Sequence, residues 1–197
     1  MKRLLFIFLA LSLAVPAEAA RLSLQEISGY INSIDTAKAR FVQHNSDGSR
    51  SGGTLTIDRP GKARFEYDPP NQETLVLVGG GQVAVFDGRA SGQPEQYPLR
   101  QTPLNLILGR GVDLTRARLV TGIGEHRGQT IIEAQDSKNP EYGKIRLYFE
   151  ENPIRLSEWI VFSQSGEQTR VVLEPFQDPG DLSLFLFDIT GETRRRQ

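Results

Sequence analysis

The chain has no cysteine among its 197 residues, and only one methionine, one tryptophan and two histidines. Without thiols there is no disulfide scaffold, no thiolate nucleophile and no cysteine to carry a lipid, so stability has to come from an ordinary apolar core. His44 and His126 lie far apart, and neither has a second His or a Cys at metal-ligand spacing, so no metal site and no cofactor are expected. A surplus of one charge is also missing. Lys and Arg number 23 against 24 Asp and Glu, a net charge of -1 that argues against a nucleic-acid partner. Long hydrophobic runs are absent too: the apolar stretch at residues 4–15 falls short of the roughly 20 residues that a spanning helix needs.

That stretch is preceded by Lys2 and Arg3 and followed by Pro16-Ala17-Glu18-Ala19-Ala20. A positive segment, an apolar centre and an A-x-A junction predict a secretory signal peptide over residues 1–19, removed on export. Residues 20–197 are then expected to form one domain, with net charge -2 once Lys2, Arg3 and Glu18 are lost. Ala19-Ala20 occupy the junction where an exported lipoprotein carries its acylated cysteine, which predicts a mature protein without a covalent lipid. Hydrophobic residues at 38% and charged residues at 24% suit a folded domain, and Arg194-Arg195-Arg196 reads as a solvated tail.

The mature chain opens with Ser23-Leu24-Gln25-Glu26, a capping box in which Ser and Glu side chains satisfy backbone N–H groups at a helix start. Leu24, Ile27, Ile31 and Ile34 then recur at helical spacing on one face. From residue 39 the period changes to alternation, most clearly in Thr54-Leu55-Thr56-Ile57-Asp58 and Lys62-Ala63-Arg64-Phe65-Glu66-Tyr67. Further strands are expected at 39–44, 74–78, 82–86, 96–99, 130–134, 144–149, 156–162, 168–173 and 184–189. Turns such as Arg59-Pro60-Gly61, Gly79-Gly80-Gly81, Asp87-Gly88 and Glu151-Asn152-Pro153 separate them. So many short strands predict a mainly β protein with short helices, built on one strongly curved antiparallel sheet. A second helix is expected over 102–108, with Thr102 as N-cap, Pro103 at the first helical position and Gly109 at the end. Periodicity leaves open whether the two apolar helices cover a hollow or complete a packed core.

Catalytic signatures are scarce. There is no G-x-S-x-G elbow, and Val78-Gly79-Gly80-Gly81 has neither dinucleotide-fold nor P-loop spacing. Acids on strands or near strand ends, Glu66, Asp68, Glu133, Glu150 and Glu158, leave a paired-acid hydrolase formally open, although acids that alternate with apolar residues ordinarily mark a wet sheet face. The chain is not expected to be an enzyme.

The stretch from Gly53 to Pro70, a strand ending in Arg59-Pro60-Gly61, a second strand with Phe65 and Tyr67, then Pro69-Pro70, resembles the periplasmic outer-membrane lipoprotein carrier family, the LolA-like proteins. The export signal, the amphipathic first helix, Phe41-Val42-Gln43 and Thr102-Pro103-Leu104 follow in the same order. The resemblance implies an unclosed antiparallel β-barrel with an α-helical lid over an apolar cavity. It also implies a monomeric periplasmic carrier that accepts lipoproteins from an inner-membrane lipoprotein-releasing transporter, shelters their acyl chains and hands them to an outer-membrane acceptor. A carrier of another envelope lipid or glycolipid on the same fold is the alternative.

By the same resemblance Arg59 is the lid latch, bonding to helix carbonyls in the empty carrier. Leu55, Ile57, Ala63, Phe65 and Tyr67 are expected on the cavity wall, and Ile27, Ile31, Leu104, Ile107 and Leu108 on the lid. Ala63 is smaller than the family's usual residue, and Gly109-Arg110-Gly111-Val112 departs from its pattern.

Overall fold

The computed structural model describes residues 21–88, 93–116, 119–136 and 138–197, so the expected signal peptide lies outside the described residues. Helix α1 (Leu24–Ser33) starts as the sequence predicts: Ser23 Oγ accepts the Glu26 N–H, and the Glu26 carboxylate accepts the Ser23 N–H at 2.8 Å. Strands β1 (Thr36–His44), β2 (Arg50–Asp58), β3 (Lys62–Tyr67), β4 (Leu75–Gly79), β5 (Gln82–Phe86) and β6 (Glu95–Pro98) follow as a meander. A 3-10 turn (Leu99–Gln101) and the one-turn helix α2 (Asn105–Leu108) lead to β7 (Val120–His126), β8 (Gln129–Gln135), β9 (Lys144–Glu151), β10 (Ile154–Phe162) and β11 (Gln168–Leu173). All join one antiparallel sheet in the order β6-β5-β4-β3-β2-β1-β11-β10-β9-β8-β7. β6 and β7 are its two edges, and no ladder joins them among the described residues, so the barrel is unclosed.

The curvature is legible in one aromatic contact. β3 and β10 are four strands apart, about 19 Å across a flat sheet at the usual strand spacing. Yet the rings of Phe65 and Trp159 meet edge to face at 6.2 Å. The sheet therefore curls until its two limbs face each other, and the apolar side chains on its inner face form one cluster with α1 and α2. Register shows how that face is assembled. Ala37, Ile57, Ala63, Val78 and Val83 form one rung, Ala39, Leu55, Phe65 and Val76 the next, and Phe41, Gly53 and Tyr67 a third. Gly53 leaves room for aromatic packing, since a Cβ there would fall 2.5 Å from the Phe41 ring. Phe41 stacks edge-on against Phe65 at 5.8 Å and Tyr67 at 5.3 Å.

Three sequence expectations need correction, and one strand has no counterpart in the sequence pattern. Residues 184–189 are not a strand: Leu184–Phe187 form a 3-10 turn and Ile189–Arg195 form helix α3. This segment packs Phe187, Leu182, Leu186 and Ile189 against the outer face of β4 and β5, around Leu75, Leu77, Ala84 and Phe86. β4 is thus buried on both faces, and Leu184 and Phe185 are left exposed. Nor are the terminal arginines a free tail: Arg195 and Arg196 pair with the buried Glu192, and Arg196 lies over the Phe86 ring and donates to the Glu73 carbonyl. Thr102 does not cap α2. Its hydroxyl donates instead to the Leu99 carbonyl, and the helix begins at Asn105, although Gly109 does end it. The unexpected strand is β7: its residues, Val-Thr-Gly-Ile-Gly-Glu-His, are mostly exposed and show no apolar alternation, and pairing with β8 rather than a buried face of its own makes it a strand.

Candidate functional site

The ten residues expected on the cavity wall and lid are brought together. Ile27, Ile31, Leu55, Ile57, Ala63, Phe65, Ile107 and Leu108 are buried in the inner cluster, and Tyr67 and Leu104 pack half-buried at its margin. In this conformation the concavity is filled by side chains of sheet and helices. Phe41, Phe149, Leu114 and Trp159 belong to the same cluster but are not among the residues the sequence places on the wall or lid. The alternation of Ala37, Ala39 and Phe41 along β1 carried the signal for the first. Burial pushes the Tyr67 phenol pKa up to about 12, and its hydroxyl donates to Gln43 Oε1 at 2.8 Å.

Arg59 stands at the end of β2, where the chain turns through Pro60 and Gly61 into β3. Gly61 has φ +75°, a conformation natural to glycine, and its N–H donates to the Leu108 carbonyl at 2.8 Å. The Arg59 backbone N–H donates to the Asp35 carbonyl at 2.7 Å. The side chain then reaches both helices. Nη1 donates to the carbonyls of Ile31 and, at 3.3 Å, Ile34 at the end of α1, and Nη2 donates to the Gly109 carbonyl at 2.7 Å and Asn32 Oδ1 at 3.2 Å.

The physical reason for this convergence lies at the helix ends. The last carbonyls of a helix have no partner within it and carry the negative end of its dipole. Neither α1 nor α2 has a basic residue in its last turn. Arg59 supplies from the sheet the cation that both helices lack, and its planar fork can serve two ends at once. Burial is the main influence on the guanidinium and pushes its pKa down, partly offset by Asp35, and its Nε is buried without a hydrogen-bond partner. The acceptors are neutral oxygens, which hold a cation less tightly than a carboxylate does.

The acids on strands or near strand ends have partners of their own. Glu66 lies 3.1 Å from Arg64 Nε, Asp68 pairs with Arg40, and Glu133 binds Arg146 at 2.8 Å and Lys144 at 3.2 Å. Glu150 accepts from Arg155 at 3.0 Å and Glu158 from Arg170 at 2.7 Å. The hydrogen bond from Arg146 holds the Glu133 carboxyl below its usual range, the opposite of what a general acid needs. Among the described residues no group of three or more His, Cys, Asp or Glu is placed to hold a metal, and no helix is long and apolar enough to cross a membrane.

A curled antiparallel sheet, an apolar inner face and two helices tied to one sheet-borne guanidinium define the chain as an open-barrel protein whose concave face is covered by helices. Residues 32–190 match the family described as outer membrane lipoprotein carrier protein LolA. The chain belongs to that family. It is 24% identical over 180 residues to the outer-membrane lipoprotein carrier protein of Pseudomonas aeruginosa, spanning 85% of this chain and 84% of the relative. The carrier of Nitrosomonas europaea is 26% identical over 201 residues, covering 96% and 95% respectively. Among solved structures, an uncharacterized conserved protein from Thermus thermophilus superposes with TM-score 0.50 at 10% identity, over 87% of this chain and 97% of that one. A LolA superfamily protein from Nitrosomonas europaea gives 0.47 at 13% identity, over 85% and 98%.

Proposed function

We propose that this protein is a periplasmic carrier, exported by cleavage of residues 1–19, that shelters the acyl chains of lipoproteins between its concave sheet and its helices. It takes them from an inner-membrane releasing transporter and delivers them to an outer-membrane acceptor. The observation that carries this reading is the fastening of both helices to the sheet by Arg59 over a continuous apolar face. Removing acyl chains from water recovers about 0.8 kcal/mol per CH2, so an aliphatic and aromatic wall is sufficient for binding. A carrier must also release. Closing the lid over the empty face opposes binding, because opening consumes part of the binding free energy. Neutral carbonyl acceptors make such a latch one that can be broken and remade.

The test is to incubate residues 20–197 with inner-membrane vesicles that carry labelled lipoproteins and a functional releasing transporter. The expected result is a soluble one-to-one complex in the supernatant. Absence of release would overturn the reading. Release of another lipid or a glycolipid, identified by mass spectrometry, would replace lipoprotein as the cargo.

A further inference from the structure

Ser28 and Asn32 lie one turn apart on α1 and so share a stripe of the helix. Against that stripe runs segment 109–114, the strap that follows α2. Gly111, at φ +58°, turns the strap so that Val112 meets Asn32. The contact has the form of strand pairing: Asn32 Nδ2 donates to the Val112 carbonyl at 2.7 Å, and the Val112 N–H donates to Asn32 Oδ1 at 3.0 Å. The same Oδ1 accepts from Arg59 Nη2 at 3.2 Å. One turn earlier, Ser28 Oγ accepts the Leu114 N–H at 2.9 Å.

Asn32 is exposed, so these bonds are not a by-product of burial. A carboxamide is also the side chain the geometry asks for. It offers one donor and one acceptor to the two backbone groups of Val112, whereas a carboxylate would set oxygen against the Val112 carbonyl. Its oxygen stands beside the guanidinium that grips both helix ends.

We propose that Asn32 is a positioning residue that zips α1 to the 109–114 strap, so that the two pieces of the lid leave the sheet together. This rests on the lid reading above and adds how the lid moves. Without the seam, α2 and its strap could lift while α1 stayed, exposing only part of the apolar face. With it, breaking the Arg59 contacts frees one body.

Four backbone N–H groups report the relevant separations. Gly61 bonds to Leu108 across the sheet–α2 boundary, and Leu156 bonds to the Tyr30 hydroxyl at 3.2 Å across the sheet–α1 boundary. Val112 and Leu114 report the seam. The experiment is residue-resolved amide exchange on the cargo-free protein. In Arg59→Leu, Gly61 and Leu156 should accelerate by a common factor while Val112 and Leu114 hold their rates. Asn32→Ala should accelerate Val112 about tenfold, and in the double variant the Gly61 and Leu156 factors should diverge. Asn32→Asp, which keeps the acceptor and loses the donor, should fall between. Unequal acceleration of Gly61 and Leu156 in Arg59→Leu alone, or an unmoved Val112 in Asn32→Ala, would overturn the proposal. These readouts need no lipoprotein, so they fail or succeed independently of the carrier reading.

Discussion

Replacing Arg59 with leucine removes a charged donor from Ile31, Ile34, Gly109 and Asn32 and leaves only a short apolar side chain that cannot reach them. Hydrogen bonds to charged groups contribute about 1.5–3 kcal/mol each, and two of these four are long, while water can return to the freed carbonyls at the rim. A net weakening of the closed lid by about 2–4 kcal/mol follows. At 1.4 kcal/mol per tenfold, the balance shifts towards the open lid by roughly 30- to 1000-fold. The apparent affinity for cargo scales with the fraction of protein competent to bind, so loading should tighten and release should slow by the same mechanism. The assay is two-stage: loading from inner-membrane vesicles, then transfer to vesicles bearing an outer-membrane acceptor. Arg59→Leu should load as well as the parent or better and transfer at least about tenfold more slowly. Arg59→Lys should lie between, because a point charge cannot serve both helix ends. Unchanged transfer, or failure to load by a folded variant, would show that Arg59 does not hold the lid shut.

Phe41→Ala should cost about 3–5 kcal/mol of stability, since its buried ring meets both Phe65 and Tyr67; a small shift of the urea midpoint would mean that the aromatic floor is not part of the core. Ala63→Leu places new bulk beneath the helices, between Ile57 and Val78. Overpacking of about 1–3 kcal/mol should fall on the closed lid and accelerate Gly61 amide exchange, whereas unchanged exchange would reveal spare room. Acid should release α3. Burial raises the Glu192 pKa, but Arg196, Arg195 and Arg64 outweigh it and hold it below the ordinary 4.5. The stabilisation is therefore complete above that value and is lost as pH falls through the lower folded pKa. NMR shifts of α3 should show this acid step in the parent and not in Glu192→Gln; the same step in both would contradict the assignment.

The inner face was legible because its signal is local. Leu55 and Ile57, Ala63 and Phe65 alternate, and Ile27 and Ile31 share a helix stripe, so each element announces which side it buries. Arg59 was legible only through family resemblance, because nothing within Asp-Arg-Pro-Gly says that a guanidinium will meet carbonyls 25 to 50 residues away. The role of Asn32 was invisible for the same reason: its partner Val112 lies 80 residues on, in a segment matching no helix or strand pattern. Residues 184–187 misled because an unbroken apolar run suits a strand and a turn equally. The partner face on β4 and β5, which selects the turn, cannot be read from the run itself.

In the proposed carrier, cargo acyl chains occupy the space between the concave sheet and its helices, and the single tryptophan reports on that space. Trp159 is buried on β10 against Phe65, on the inner face. Lipoprotein bearing brominated acyl chains should quench Trp159 fluorescence on loading, and the same protein without its acyl chains should not. A soluble complex that forms with no acyl-dependent quenching would place the chains outside the barrel and overturn the carrier mechanism.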